Sequence, residues 1–196
     1  MTRTADELRE LLVHLHSHDL PDEQDRQLAA ELAALQSTLA TKTRLRWYEG
    51  GDLSDNYSKH ALYHGDANAV AVPMDISFQP VANGEDGVVG MVTVPRIYEG
   101  PPRSVHGGYL SGLFDDVLGG VLRVAGGPGG VTGRLTVRYR AMTPLDTPLR
   151  FEAWPIDVRT RRLVARATCH AAGKLTAEAE ALFIRVDLAD IAEVQP

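Results

Sequence analysis

The sequence predicts an α+β domain in which one long apolar helix is wrapped by a curved antiparallel sheet, with a helical extension ahead of it. Three observations carry this. Strand and helix signals run in the order strand, strand, helix, four strands. The helix opens after His106-Gly107-Gly108 and repeats Leu110, Leu113, Phe114, Val117, Leu118, Val121 and Leu122 at spacings of three and four, a wide apolar face that needs covering. The later strands are joined by connections as short as Asp157–Arg161 and Ala172-Gly173-Lys174, which make them antiparallel neighbours.

Along the chain, Thr4-Ala5-Asp6-Glu7 fits a capping box opening a first helix, with Leu8, Leu11, Leu12 and Leu15 at helical spacing. Pro21 suits the first position of a second helix, and Asp22, Glu23 and Asp25 complement its positive end. Leu28, Leu32, Leu35 and Leu39 then form a narrow stripe. These residues, 1–45, make the helical extension, whose stripe has to be buried against the main domain or another protomer. His14 and His18 share a helical face as a metal pair would, but no third ligand accompanies them, so no metal is expected.

Residues 46–73 carry turn signals at Gly50-Gly51, Asp55-Asn56 and Gly65-Asp66 and read as an irregular linker. Met74–Val81 and Gly87–Val94 read as strands, and Tyr98-Glu99-Gly100-Pro101-Pro102 is too stiff to continue one. The long helix ends at Gly126-Gly127-Pro128-Gly129-Gly130. Leu135, Val137 and Tyr139 alternate with Thr136, Arg138 and Arg140, and Leu163, Ala165, Ala167 and Cys169 alternate with Val164, Arg166 and Thr168. With strands near 147–158 and 175–187, these bound a main domain at 74–187 and a C-terminal tail at 188–196.

Composition narrows the function classes. The 196 residues are 44% hydrophobic and 23% charged, enough for one core plus an appendage. No stretch reaches the ~18–20 apolar residues of a membrane span. The N-terminus turns acidic at once and lacks an apolar secretory segment, so a cytoplasmic location is expected. The one cysteine, Cys169, excludes an internal disulfide framework and a Cys-rich metal site. A net charge of −6 argues against a nucleic-acid binder. Eight arginines nevertheless fall between Arg134 and Arg166, either as solvated strand faces or near an anionic ligand.

Chemistry concentrates at 104–116. A helix opening on two glycines presents backbone N–H groups that suit an anion or a carbonyl oxygen gaining negative charge. Asp115 continues a row of small residues with Ser111 and Gly119, each four positions away, while Asp116 lies about 100° round the helix. On spacing alone, both acids are equally compatible with solvation or pairing to arginine, and Gly107-Gly108 with a tight turn.

The run Tyr98-Glu99-Gly100-Pro101-Pro102-x-x-Val105-His106-Gly107-Gly108, followed by Leu113-x-Asp115 and Gly119, resembles the active-site segment of hotdog-fold acyl-CoA thioesterases. The nearest branches are the phenylacetate-type and carboxy-terminal-modulator-like ones, over about residues 74–187. The resemblance implies a hotdog fold and hydrolysis of an acyl-CoA, with CoA as part of the substrate and no separate cofactor. It implies that an amide at Gly107 or Gly108 polarises the thioester carbonyl and that His106 orients the loop or the thioester. Asp115 is then nucleophile or general base, and Thr132 positions the water. Arg103, Ser104, Leu110, Ser111 and Phe114 are expected to bind substrate, with Arg103 either meeting a CoA phosphate or lying in solvent and the acyl chain running along Leu110, Phe114 and Leu118. Since the acid and the glycine amides at one substrate come from different protomers in such enzymes, a homodimer or dimer of dimers is implied. The chain departs from the pattern twice: Gly100 stands where some relatives have Asn, and Arg103 where a small Gly is frequent. Two other readings share the fold, a non-catalytic acyl-CoA-binding scaffold recruiting a partner through its N-terminal helices, and a hydratase or dehydratase using His106 with Asp115.

Overall fold

The computed structural model describes residues 3–41 and 58–186. Helix α1 spans Arg3–Ser17 and α2 Asp22–Ala40; strands β1 (Asp75–Pro80) and β2 (Asp86–Thr93) lead through a 3-10 turn at Arg96–Tyr98 to α3 (Gly107–Val124). Strands β3 (Gly130–Tyr139), β4 (Pro148–Val158), β5 (Arg162–Ala171) and β6 (Lys174–Arg185) follow. The turn signals at Gly50-Gly51 and Asp55-Asn56 and the tail at 188–196 lie outside the described residues.

All strands pair antiparallel in the order β1-β2-β4-β5-β6-β3. The short connections do join neighbours, but β3 sits beyond β6 rather than beside β4. Strand β2 already occupies that side of β4, so 140–147 has to cross over and leave β3 on the open edge. Helix α3 lies on the inner face, with Leu110, Leu113, Phe114, Val117, Leu118 and Val121 buried against Phe151, Leu163 and Phe183. At about 1.5–3 kcal/mol per buried large apolar side chain, this face is the main source of the domain's stability. Phe114 meets Phe151 edge-on, ring centroids 5.1 Å apart.

One detail of β3 determines the site. Thr132 pairs with Phe183 and Leu135 with Ala181, both on the helix side, although 132 and 135 differ by an odd number. The register shift between Thr132 and Arg134 makes this possible by letting Gly133 bulge. Strict alternation from Leu135, Val137 and Tyr139 would have turned Thr132 outward.

The extension departs from its sequence reading. Helix α1 begins at Arg3, so Thr4 lies inside its first turn rather than capping it. Its docked face is Ala5, Arg9, Leu12 and Val13, and Leu8 is exposed. Helix α2 buries no residue; Leu35 and Leu39 are 63% and 69% exposed, so the main domain does not cover the leucine stripe. At the end of α1, the His18 ring donates back to the His14 carbonyl, 2.9 Å away.

The linker residues from 58 onward pack on α3. Arg9 reaches across from α1, its guanidinium donating to the carbonyls of Ala71 (2.9 Å), Asp66 (2.6 Å) and Asn68 (3.1 Å). Tyr63 lies so close over α3 that a Cβ at Gly112 would stand 2.0 Å from its ring. Tyr109 stacks on Tyr98 at 3.9 Å and meets Tyr63 edge-on at 5.4 Å. Arg9→Leu removes one partner from three carbonyl oxygens at once; we expect it to lower unfolding free energy by about 1–3 kcal/mol, read from the urea midpoint.

Candidate active site

The N-terminus of α3 is built by the loop before it. The amide of His106 donates to the Tyr98 carbonyl at 2.8 Å, and a Cβ at Gly100 would stand 2.7 Å from the His106 Cα. An Asn at position 100 has no room here, which accounts for the first departure from the family pattern. Arg103 adopts φ 60°, the left-handed region where glycine is most at ease, which accounts for the family's small residue there and makes Arg103 the exception. Its side chain is exposed, whereas Ser104 is buried inside the turn, 4% exposed.

His106 caps α3: its Nδ1 accepts from the Gly108 amide at 3.1 Å. An accepting Nδ1 places the ring proton on Nε2, so His106 presents an N–H donor outward. The Gly107 amide, first of the helix, has no intrahelical acceptor and receives none from the other described residues. Beside it, the Tyr139 hydroxyl donates to the Gly107 carbonyl at 2.8 Å and bonds to Ser111 Oγ at 2.8 Å. Tyr139, absent from the sequence candidates, closes the β3 side of this mouth. Its signal was present: it continues the inward row of Leu135 and Val137.

Two turns along, the Thr132 hydroxyl donates to Asp115 Oδ1 at 2.8 Å. The structure thus brings together two residues 17 apart in sequence. Asp115 is half-buried, and desolvation, followed by the charge of Asp116, pushes its carboxyl above the usual carboxylate range despite the opposing Thr132 bond. Next in the row, a Cβ at Gly119 would meet nothing within 4 Å, so the row is open one turn beyond Asp115. Asp116 points the other way and pairs with His64, Nδ1 to Oδ2 at 2.6 Å. Neither acid pairs with an arginine among the described residues.

The remaining candidates separate. Leu110 and Phe114 are fully buried against the sheet, in the core rather than on the open row of Ser111, Asp115 and Gly119. Of the arginines, Arg140 pairs with Glu178, Arg159 and Arg162 with Asp157, and Arg166 with Glu180. Arg103, Arg138 and Arg161 form no ion pair among the described residues. No group of three or more His, Cys, Asp or Glu placed to hold a metal occurs among those residues, and no helix there is long and apolar enough to cross a membrane.

A central helix with a Gly-Gly opening, cradled by a six-stranded antiparallel sheet, defines a hotdog fold. Residues 103–182 match the family model of the thioesterase superfamily. A crystal structure of a thioesterase superfamily protein is 28% identical, has a TM-score of 0.76 and covers 93% of both chains, so most of the helical extension is included. A Streptococcus mutans UA159 protein bound to acetyl CoA (19% identical, TM-score 0.52) covers 58% of this chain and 89% of its own. A hypothetical thioesterase of Streptococcus pneumoniae TIGR4 with coenzyme A (22%, TM-score 0.50) covers 58% and 90%. These two share the fold of the core. No curated protein matches the chain. The resemblance seen in the sequence is borne out: the core has the hotdog fold, and residues 103–182 are similar to the thioesterase superfamily.

Proposed function

We propose that this protein hydrolyses acyl-CoA thioesters to a free acid and CoA, with Asp115 as general base and the Gly107 amide as oxyanion donor. The observation that carries the reading is Asp115 itself, a half-buried carboxylate held by the Thr132 hydroxyl on the open row of α3. A carboxyl raised above its ordinary range is a stronger base for water. Asp115 takes a proton from water as the water oxygen bonds to the thioester carbon, and the carbonyl electron pair moves onto its oxygen. The Gly107 N–H and the positive end of α3 receive that charge. Collapse breaks the carbon–sulfur bond, and the departing thiolate takes the proton from Asp115, leaving acid and thiol. The acetyl CoA and coenzyme A in the two streptococcal structures support CoA as the thiol carrier. Arg103, exposed and unpaired beside the helix mouth, is suited to meet a CoA phosphate.

Both groups cannot serve one substrate from one chain. Gly107 and Asp115 are eight residues apart on one helix, about 12 Å along its axis, which exceeds the reach of a carbonyl and its attacking water. One substrate therefore takes the amide from one protomer and the carboxylate from its partner. The open β3 edge, which carries Thr132 and Tyr139, is the place where a second copy would join. We expect light scattering at micromolar concentration to give a dimer or larger; an active monomer would overturn this assembly.

The reading is tested by release of free thiol from a panel of acyl-CoAs with short, long and phenylacetyl-type acyl groups. Turnover of at least one supports it. Tight binding with no thiol release across the panel would replace it with a binding protein, and addition of water across the double bond of a 2-enoyl-CoA without thiol release would replace it with a hydratase.

A further inference from the structure

Asp116 is the acid whose charge acts on Asp115, and it is tied to a histidine outside the matched family segment. The His64 and Asp116 side chains are only 14% and 7% exposed. His64 belongs to the segment after residue 58, which Arg9 fixes by three carbonyls and which Tyr63 presses onto α3 at Gly112. The bond therefore rests on a built support rather than on a loose loop. Among the described residues, no other ionisable side chain hydrogen-bonds to either member. The groups facing Asp115 are Asp116 on its own helix and the Thr132 hydroxyl from β3.

We propose that His64 is a positioning residue for Asp115: hydrogen-bonded to Asp116, it fixes the turn of α3 that carries Asp115 and offsets part of the negative charge standing next to it. The proposal rests on the reading of Asp115 as the working base. An unpaired Asp116 would be a buried anion one residue from Asp115, and in a poorly solvated setting its field would hold the Asp115 proton more tightly. Removing the Asp116 charge does the reverse. The histidine and acid variants must therefore move Asp115 in opposite directions, which a purely structural contact would not do.

The test is a carboxyl carbon NMR titration of aspartate-labelled full-length protein, with the Asp115 signal assigned by its loss in Asp115→Asn. Relative to the parent protein, His64→Gln is expected to raise the Asp115 midpoint by about half a pH unit or more, and Asp116→Asn to lower it by a similar amount. The acid limb of kcat/KM for a hydrolysed acyl-CoA should move the same way. Midpoints that stay put, or shift in the same direction, overturn the proposal. If His64→Gln does not fold, His64→Asn takes its place: a raised midpoint supports the proposal and an unchanged one ends it. The catalytic reading fails separately, through undiminished thiol release by Asp115→Asn, and the NMR midpoints do not depend on turnover.

Discussion

Asp115→Asn is expected to lower kcat by about 10²-fold or more while acyl-CoA still binds. The amide keeps the shape and the Thr132 contact but lacks the anion that takes a proton from water. Asp116→Asn, on the face turned to His64, is expected to cost less than about tenfold at the pH plateau. The distinction follows from the side of α3 on which each acid lies, Asp115 toward β3, Asp116 toward the 58–73 segment. The acid limb for the parent enzyme should lie above that of an ordinary carboxylate, because desolvation and the Asp116 charge hold the Asp115 proton. Activity falls as pH drops through that raised value and is retained above it. The comparison needs folded variants of matched oligomeric state. If Asp115→Asn keeps normal thiol release while Asp116→Asn abolishes it, the roles assigned to the two faces are reversed.

What was legible in the sequence follows the range over which each signal acts. The apolar face of α3 repeats within one element, and its burial can be read from Leu110 to Val121. Asp115 stood out because Ser111 and Gly119 flank it at one turn's spacing, again a local pattern. The contacts that complete the site are non-local. His64 lies 52 residues before Asp116, in a stretch with no periodicity, and long-range contacts such as the Arg9 anchor and the Tyr63–Gly112 approach bring it to the helix. Thr132 reaches Asp115 through a bulge that alternation does not encode, and the family pattern rather than periodicity pointed to it. The leucine stripe of α2 was visible, but its exposure depends on non-local packing, and among the described residues nothing buries it.

A mixed dimer of two inactive variants is expected to regain about half the activity of the parent dimer, the largest gain any pairing of substitutions should produce here. One variant is Asp115→Asn. The other is Gly107→Val, whose Cβ would stand 3.2 Å from the Tyr139 hydroxyl and 3.3 Å from its ring carbon, so the larger side chain crowds the amide that receives the oxyanion. Loss of one such donor costs about 10²–10³-fold in kcat. With the two chains carrying different tags, only mixed dimers survive sequential purification. If each site joins the glycine of one chain to the acid of the other, one of the two sites in that dimer is wholly intact and the second carries both defects. If each chain instead forms its own site, both sites keep one defect and the mixed dimer stays as inactive as its parents. The 12 Å separation expected along α3 selects the first outcome. Activity no higher than that of the parent variants, in a confirmed mixed dimer, would show that the glycine amide and Asp115 do not act on the same thioester.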